Sequence, residues 1–337
     1  MQKKFNEKDS AISFMLALFL PSILAIFCII ILSMFINSSE IENSLAYKIL
    51  ATLISQVSFL IICFFVTKSK KISFKQINHN KLDFKQIMIL LLISACCLFL
   101  ISPIINVYDS LIVKLGVKEQ TLPLSLDNPL NFVYLLLSMG IFAPISEELL
   151  FRGIILQGLE DKGKTKAVLI SSLMFMIMHL SLHQTIYQFV LGIIMALIVI
   201  YTQSIFASIF VHFVNNSVVL VINYINPHLF DYKYLETNYI ILAVVLFLFA
   251  LFVLFYLLRW LKHHRVKNNR SLQTSNEIKG QNINKSQNLQ NNSEVLGNNS
   301  FDKSTQLEKN VGVKKINWLL ISLVVGAILW LLNLILQ

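Results

Sequence analysis

The sequence predicts an all-α, polytopic integral membrane protein: a helix bundle with about nine transmembrane helices. Three observations carry this. Of the 337 residues, 56% are hydrophobic and 14% charged, against roughly 45–50% and 25% in an ordinary soluble domain. Residues 11–36, 49–66, 87–107, 239–258 and 316–337 hold no charged side chain, and each stretch is long enough to cross about 30 Å of hydrocarbon as a helix. The lysines and arginines gather in alternate loops, as they do when cytoplasmic loops retain positive charge.

The first run, 11–36, is far longer than a signal-peptide core and lacks an Ala-x-Ala-like exit, so it reads as a retained helix. With 49–66 and 87–107 it makes three spans of an N-terminal region covering 1–128. Between the second and third spans, lysines alternate with Ile72, Phe74, Ile77, Leu82 and Phe84, a pattern that predicts a short interfacial helix. The fourth helix is expected over 131–159. Residues 167–233 then carry no charge before Asp231, too long a stretch for one crossing. Breaks at 181–184 and near 202–204 divide it into a short fifth helix, a sixth and a seventh.

An outer loop and the eighth span fill 226–262. Composition then changes abruptly: 263–315 is rich in Asn, Gln, Ser and Lys, with Phe301 as its one aromatic residue. Such a segment cannot bury enough apolar area to offset chain entropy, and it is expected to be a disordered cytoplasmic linker. Its basic start, with Arg259 and Trp260, suits a stop-transfer flank or contact with anionic headgroups. The ninth helix is 316–337.

The net charge of +10 would suit a nucleic-acid partner only if it formed one patch, and its distribution argues for a bilayer instead. With a cytoplasmic N-terminus, the inner side holds Lys3, Lys4 and Lys8, six lysines from Lys68 to Lys85, three from Lys162 to Lys166 and the basic segment after Arg259. The outer loops keep Lys48, Lys114, Lys118 and Lys233. Nine spans then put the C-terminus outside. The lysine- and asparagine-rich composition suits a bacterial plasma membrane. Cys28, Cys63, Cys96 and Cys97 all fall inside apolar spans, where they serve as small hydrophobic residues rather than disulfide partners.

Ionisable groups near the bilayer midplane cost a few kcal/mol or more each, so each asks for a partner and a purpose. One group is Glu147, Glu148 and Arg152. Glu148 and Arg152 are four apart on a helix and can pair, whereas Glu147 lies about 100° round and is left without that partner. An unpaired carboxylate in a low-dielectric setting is suited to take and return a proton near neutral pH, making Glu147 the candidate general base. Pro144 predicts a kink or helix start that admits water, with Ser146 as its N-cap. The bland alternative is that both glutamates only hold helices together.

Phe175 and His179 share a helical face, as do His212 and Asn216. A lone intramembrane histidine is commonly a packing residue. Two histidines, an amide and a carboxylate on neighbouring spans also suit hydrolysis of an amide: Glu147 would deprotonate a water, the histidines would orient it or bind a metal, and Asn216 with a histidine would donate to the oxyanion. His183, four residues after His179, falls at the expected outer turn and reads as a solvated residue. No His-Glu-x-x-His signature is present.

Together these groups resemble the CAAX prenyl endopeptidase and bacteriocin-processing (CPBP or Abi) family of intramembrane proteases. Its pattern is Glu-Glu-x-x-x-Arg, then Phe-x-x-x-His, then His-x-x-x-Asn. Here these are Glu147-Glu148-Leu149-Leu150-Phe151-Arg152, Phe175 to His179, and His212 to Asn216, in order. The resemblance implies a catalytic core over 129–225, with Glu147, His179, His212 and Asn216 at the reaction centre and Glu148, Arg152 and Phe175 in support. It implies membrane-embedded or membrane-apposed peptides or proteins as substrates, and a role in peptide processing or bacteriocin immunity. The family is described both as zinc-dependent, which would engage His179, His212 and Glu147, and as metal-free. A non-catalytic scaffold of the same fold and a proton-coupled transporter are the competing readings.

Overall fold

The computed structural model describes residues 4–37, 40–41, 43–73, 77, 80–118, 122–226, 236–287 and 317–336. Among them the chain is helical, with α1 (Glu7–Leu32), α2 (Leu45–Lys70), α3 (Phe84–Lys114), α4 (Pro129–Lys162), α5 (Lys164–Met178), α6 (Thr185–Thr202), α7 (Ile205–Ile225), α8 (Thr237–Gln287) and α9 (Trp318–Leu336). Seven of these helices, α1 to α4 and α6 to α8, are long and apolar enough to cross a membrane, and α5 is shorter, with 15 residues. The protein is thus a polytopic helical membrane bundle. Large apolar side chains such as Phe64, Phe65, Phe249, Phe252 and Phe255 are exposed on its outside, as befits a surface solvated by lipid.

Local chemistry sets the helix ends. Asn6 opens α1 in a capping box with Asp9, and Asp83 does the same for α3 with Gln86, each satisfying amides that have no partner within the helix. The breaks expected at 181–184 and near 202–204 are present, with Gln203 left-handed at the end of α6. All four cysteines are free.

Two compact units are distinguished: Met1–Leu261 with Trp318–Gln337, and Lys262–Asn317. Within the first, α5 packs against α6, α1 against α2 and α9, α2 against α4, and α7 against α3, α4 and α6. In the second, residues expected to be disordered are helical as far as Gln287. An existing helix needs no new nucleus, so polar residues can prolong it at little cost. The rest of the expected linker, 288–315, lies outside the described residues.

Two expectations are corrected. The described part of the loop between α2 and α3 is not a helix lying on the membrane: Ile72 and Ile77 are buried in the core. Ile77 lies where Gly153 of α4 leaves room, since a Cβ on that glycine would come within 3.1 Å of it. Phe74 of the same pattern lies outside the described residues. The second correction concerns Ser146, which does not cap a helix. Its hydroxyl donates to the Ala143 carbonyl at 3.1 Å inside a continuous α4.

That continuity depends on two wider, π-helical stretches, Leu136–Phe142 and Phe151–Ile155, flanking the α-helical segment Ala143–Leu150. Pro144 follows directly on the first. A helix-interior proline lacks an N–H and crowds the preceding turn, and a π insertion is one way a helix absorbs such a defect. Likewise Pro103 in α3 comes just after a π stretch, Cys96–Ile101. Ser10 of α1 donates to the Ile155 carbonyl at 2.9 Å, closing α1 onto the second π stretch of α4.

Candidate active site

Glu147 and Glu148 lie on the eight-residue α-helical segment between the two π stretches, and both are buried, as are Arg152 and His212. Buried charge must be paired and hydrogen-bonded to be tolerated. Glu148 meets that demand through one oxygen: its Oε1 accepts from Arg152 Nη1 at 2.8 Å and lies 3.0 Å from His212 Nδ1, while its Oε2 has no hydrogen-bond partner among the described residues. Arg152 also donates through Nη2 to the Gly192 carbonyl of α6 at 3.2 Å, and its guanidinium stands 4.4 Å from the centre of the Phe175 ring. One charged pair therefore engages α4, α5, α6 and α7.

Glu147 is placed differently. Its Oε2 is buried with no hydrogen-bond partner among the described residues, and it lies 3.9 Å from His212 Nε2. The two nitrogens of His212 thus face the two carboxylates. With Nδ1 held by Glu148, Nε2 is directed toward Glu147, and the ring's orientation is set by that second contact.

His179 is half-buried at the C-terminal end of α5, where its Nδ1 meets the Phe175 carbonyl at 2.8 Å. The Phe175 ring packs edge-on against it with centroids 4.8 Å apart, and reaches His212 at 6.1 Å. His179 therefore joins the cluster through Phe175. Both histidines have Nδ1 occupied, leaving Nε2 for a substrate, a water or a metal.

Asn216, one turn beyond His212, donates to the Met139 carbonyl of α4 at 2.9 Å. Pro144 explains why that carbonyl is available. In the π register Ala143 N donates to Ser138, and the next donor in that register, five residues after Met139, would be the missing N–H of Pro144. Asn216 thus stands in for an absent backbone donor and still has a second amide hydrogen.

The sequence-predicted residues Glu147, Glu148, Arg152, Phe175 and His212 are gathered here, with His179 and Asn216 at the margins. Sequence reasoning missed Gly192 and the Met139 carbonyl. Gly192 could have been noticed as a glycine inside an apolar helix, whereas a backbone acceptor leaves no mark in a sequence. His183 is corrected: it is not merely solvated, since its Nδ1 pairs with Asp109 of α3 and its Nε2 lies 2.7 Å from the Lys118 carbonyl.

Two imidazoles with free Nε2 atoms and a carboxylate fit zinc in kind, and their Nδ1 partners resemble the outer hydrogen bonds that orient metal-binding histidines. Among the described residues, however, no three His, Cys, Asp or Glu side chains are gathered closely enough to hold an ion as they stand.

A buried acid–histidine cluster inside a polytopic helical bundle defines the class: a membrane protein with a polar site among its spans. Residues 129–218 match the family described as type II CAAX prenyl endopeptidase Rce1-like, so this segment is similar to that family. The match covers α4 through most of α7 and includes every residue of the cluster. No curated protein and no solved structure matches the chain.

Proposed function

We propose that the chain is an intramembrane endopeptidase that cuts membrane-embedded or membrane-apposed peptides or proteins with a water activated by Glu147. The observation that supports this best is the difference between adjacent carboxylates: Glu148 Oε1 is taken by both Arg152 and His212, whereas the contact of Glu147 with His212 Nε2 is at 3.9 Å, beyond hydrogen-bond distance, and its Oε2 has no hydrogen-bond partner among the described residues.

In the reaction, Glu147 takes a proton from water as the water oxygen attacks the scissile carbonyl carbon. The second amide hydrogen of Asn216 donates to the resulting oxyanion, and His212 Nε2 does so in the doubly protonated imidazole, whose Nδ1–H is held by Glu148, a type of stabilisation that acts strongly in a water-poor site. Glu147 then passes its proton to the leaving nitrogen, the C–N bond breaks, and a carboxyl and an amine product form. His179 orients the water. A zinc ion bound by His179, His212 and Glu147 would supply Lewis acidity and a more acidic water.

A role in peptide processing or bacteriocin immunity at a bacterial plasma membrane, with the N-terminus inside and the C-terminus outside, fits the loop charges and completes the proposal. The test is cleavage of membrane peptides by purified protein in liposomes, comparing wild type with Glu147→Gln, each with and without a chelator. Loss of cleavage in Glu147→Gln supports the protease, and the chelator arm separates metal-dependent from metal-free water activation. Absence of any cut across a broad peptide set, with Glu147→Gln still working in cells, would instead establish a scaffold.

A further inference from the structure

The C-terminal helix α9 lies outside the family-matched segment, yet it packs on α1 and α5. Gly326 permits the close approach: a Cβ there would come within 2.9 Å of the Phe14 ring and 3.1 Å of Ile177. Ile177 is two residues before His179. Further along α9, the Asn333 side-chain amide donates to the carbonyl of Leu180, the residue directly after His179.

The turn that receives this bond has an unusual need for donors. Helix α5 has 15 residues, and the backbone past its end runs through Leu180, Ser181 and Leu182, which are buried or half-buried. Irregular backbone shielded from water must be satisfied by protein. Tyr108 of α3 donates to Leu182 at 2.9 Å and Thr185 of α6 donates to Ser181 at 2.9 Å. Leu180 itself has φ +47°, a left-handed conformation that a leucine adopts only where its surroundings impose it.

We propose that Asn333 is a positioning residue for the candidate active site: by holding the Leu180 carbonyl it fixes the left-handed turn that sets the depth and angle of His179. The inference rests on the endopeptidase reading for its catalytic consequence, but not for its structural one. Besides crossing or anchoring in the bilayer, α9 then completes the wall behind His179.

The test uses the full chain in liposomes with Asn333→Leu, which keeps the volume and removes the donor, and Asn333→Gln, which keeps an amide. The first readout needs no protease activity: acylation of individual histidines by diethylpyrocarbonate, followed by mass spectrometry. His179 in Asn333→Leu should react about threefold or more faster than in wild type, with His212 unchanged, because loss of a local hold raises local opening. In Asn333→Gln it should return toward the wild-type rate. The second readout is peptide cleavage, where kcat should fall about tenfold in Asn333→Leu with KM within twofold, as expected when a group is displaced from the reacting geometry. Wild-type behaviour of Asn333→Leu in both readouts would overturn the proposal. So would equal losses in both variants that track a lowered unfolding temperature, since α9 would then be only a structural prop. If wild type cuts no peptide, the endopeptidase reading fails, and the His179 acylation rates still decide the role of Asn333.

Discussion

His212 Nδ1 lies 3.0 Å from Glu148 Oε1, and that same oxygen takes the Arg152 guanidinium at 2.8 Å. Glu148 is thereby committed to structure. Removing one member of a buried ion pair leaves the other uncompensated, at about 3–5 kcal/mol. Glu148→Gln should therefore destabilise the protein by that order, whereas Glu147→Gln, which breaks no hydrogen bond at Oε2, should cost less than about 1 kcal/mol. Denaturant or thermal unfolding in one detergent would check the contrast. Adding Arg152→Met to Glu148→Gln should recover part of the loss, because the stranded cation is then gone.

His183 provides a contrast to His179 at the same helical spacing. Both its ring nitrogens are engaged, one by Asp109 and the other by the Lys118 carbonyl, which leaves it no atom for a metal or a water at the site. His183→Ala should cut peptides within about threefold of wild type, while His179→Ala should lose about 10² or more, the size expected for a positioned group acting on the reacting water. Initial rates at saturating peptide would check this, and equal losses in the two variants would place His183 in the chemistry.

The spans other than α4 were legible because charge is nearly forbidden in hydrocarbon, so its absence marks a crossing, and the short fifth helix followed from the length of the uncharged run after Ala167. The cluster was legible because Glu147, Glu148, Arg152 and His212 are costly in a membrane and must be explained. Other features leave no trace in one dimension. The π stretches around Ala143–Leu150 use backbone angles close to those of an α-helix. Carbonyl acceptors at Met139, Phe175 and Gly192 exist at every residue, so only their neighbours distinguish them. The alternation around Ile72 and Ile77 reads as an amphipathic helix, but their burial beside α4 depends on space left by Gly153, over 70 residues away. The packing of α9 on α5 is similarly invisible, since an apolar helix can face lipid or protein.

Gly192 presents its carbonyl to Arg152 only because α6 approaches α5 closely. A Cβ at Gly192 would meet the Cβ of Ser172 at 3.1 Å and its Cα at 3.2 Å. Backbone cannot yield as a flexible side chain does, so Gly192→Ala should part the two helices and cost about 1–3 kcal/mol. Turnover should fall as well, because the shift withdraws an acceptor from the guanidinium that holds Glu148. Combining it with Ser172→Gly should restore part of both, and an unfolding series with parallel cleavage rates would show whether the losses move together.

Asn216 has a structural duty that can be separated from its proposed catalytic one. It donates to the Met139 carbonyl at 2.9 Å, which Pro144 cannot reach because proline has no N–H. Leaving a part-buried acceptor unsatisfied costs up to about 1–3 kcal/mol, so Asn216→Ala should lower stability as well as activity. Pro144→Ala changes the balance. If the π register persists, the new N–H of residue 144 can serve Met139; if the segment tightens to a regular α-helix, the N–H of Ala143 can do so instead. In either case, adding Asn216→Ala to Pro144→Ala should cost clearly less stability than it does in wild type. The cleavage rate should nevertheless fall by about 10² to 10³ in both backgrounds if the amide also stabilises the oxyanion. A double-mutant cycle measuring unfolding and kcat would decide the point: activity restored along with stability would make Asn216 a bracket for α4, whereas stability restored without activity would place its second hydrogen in the reaction.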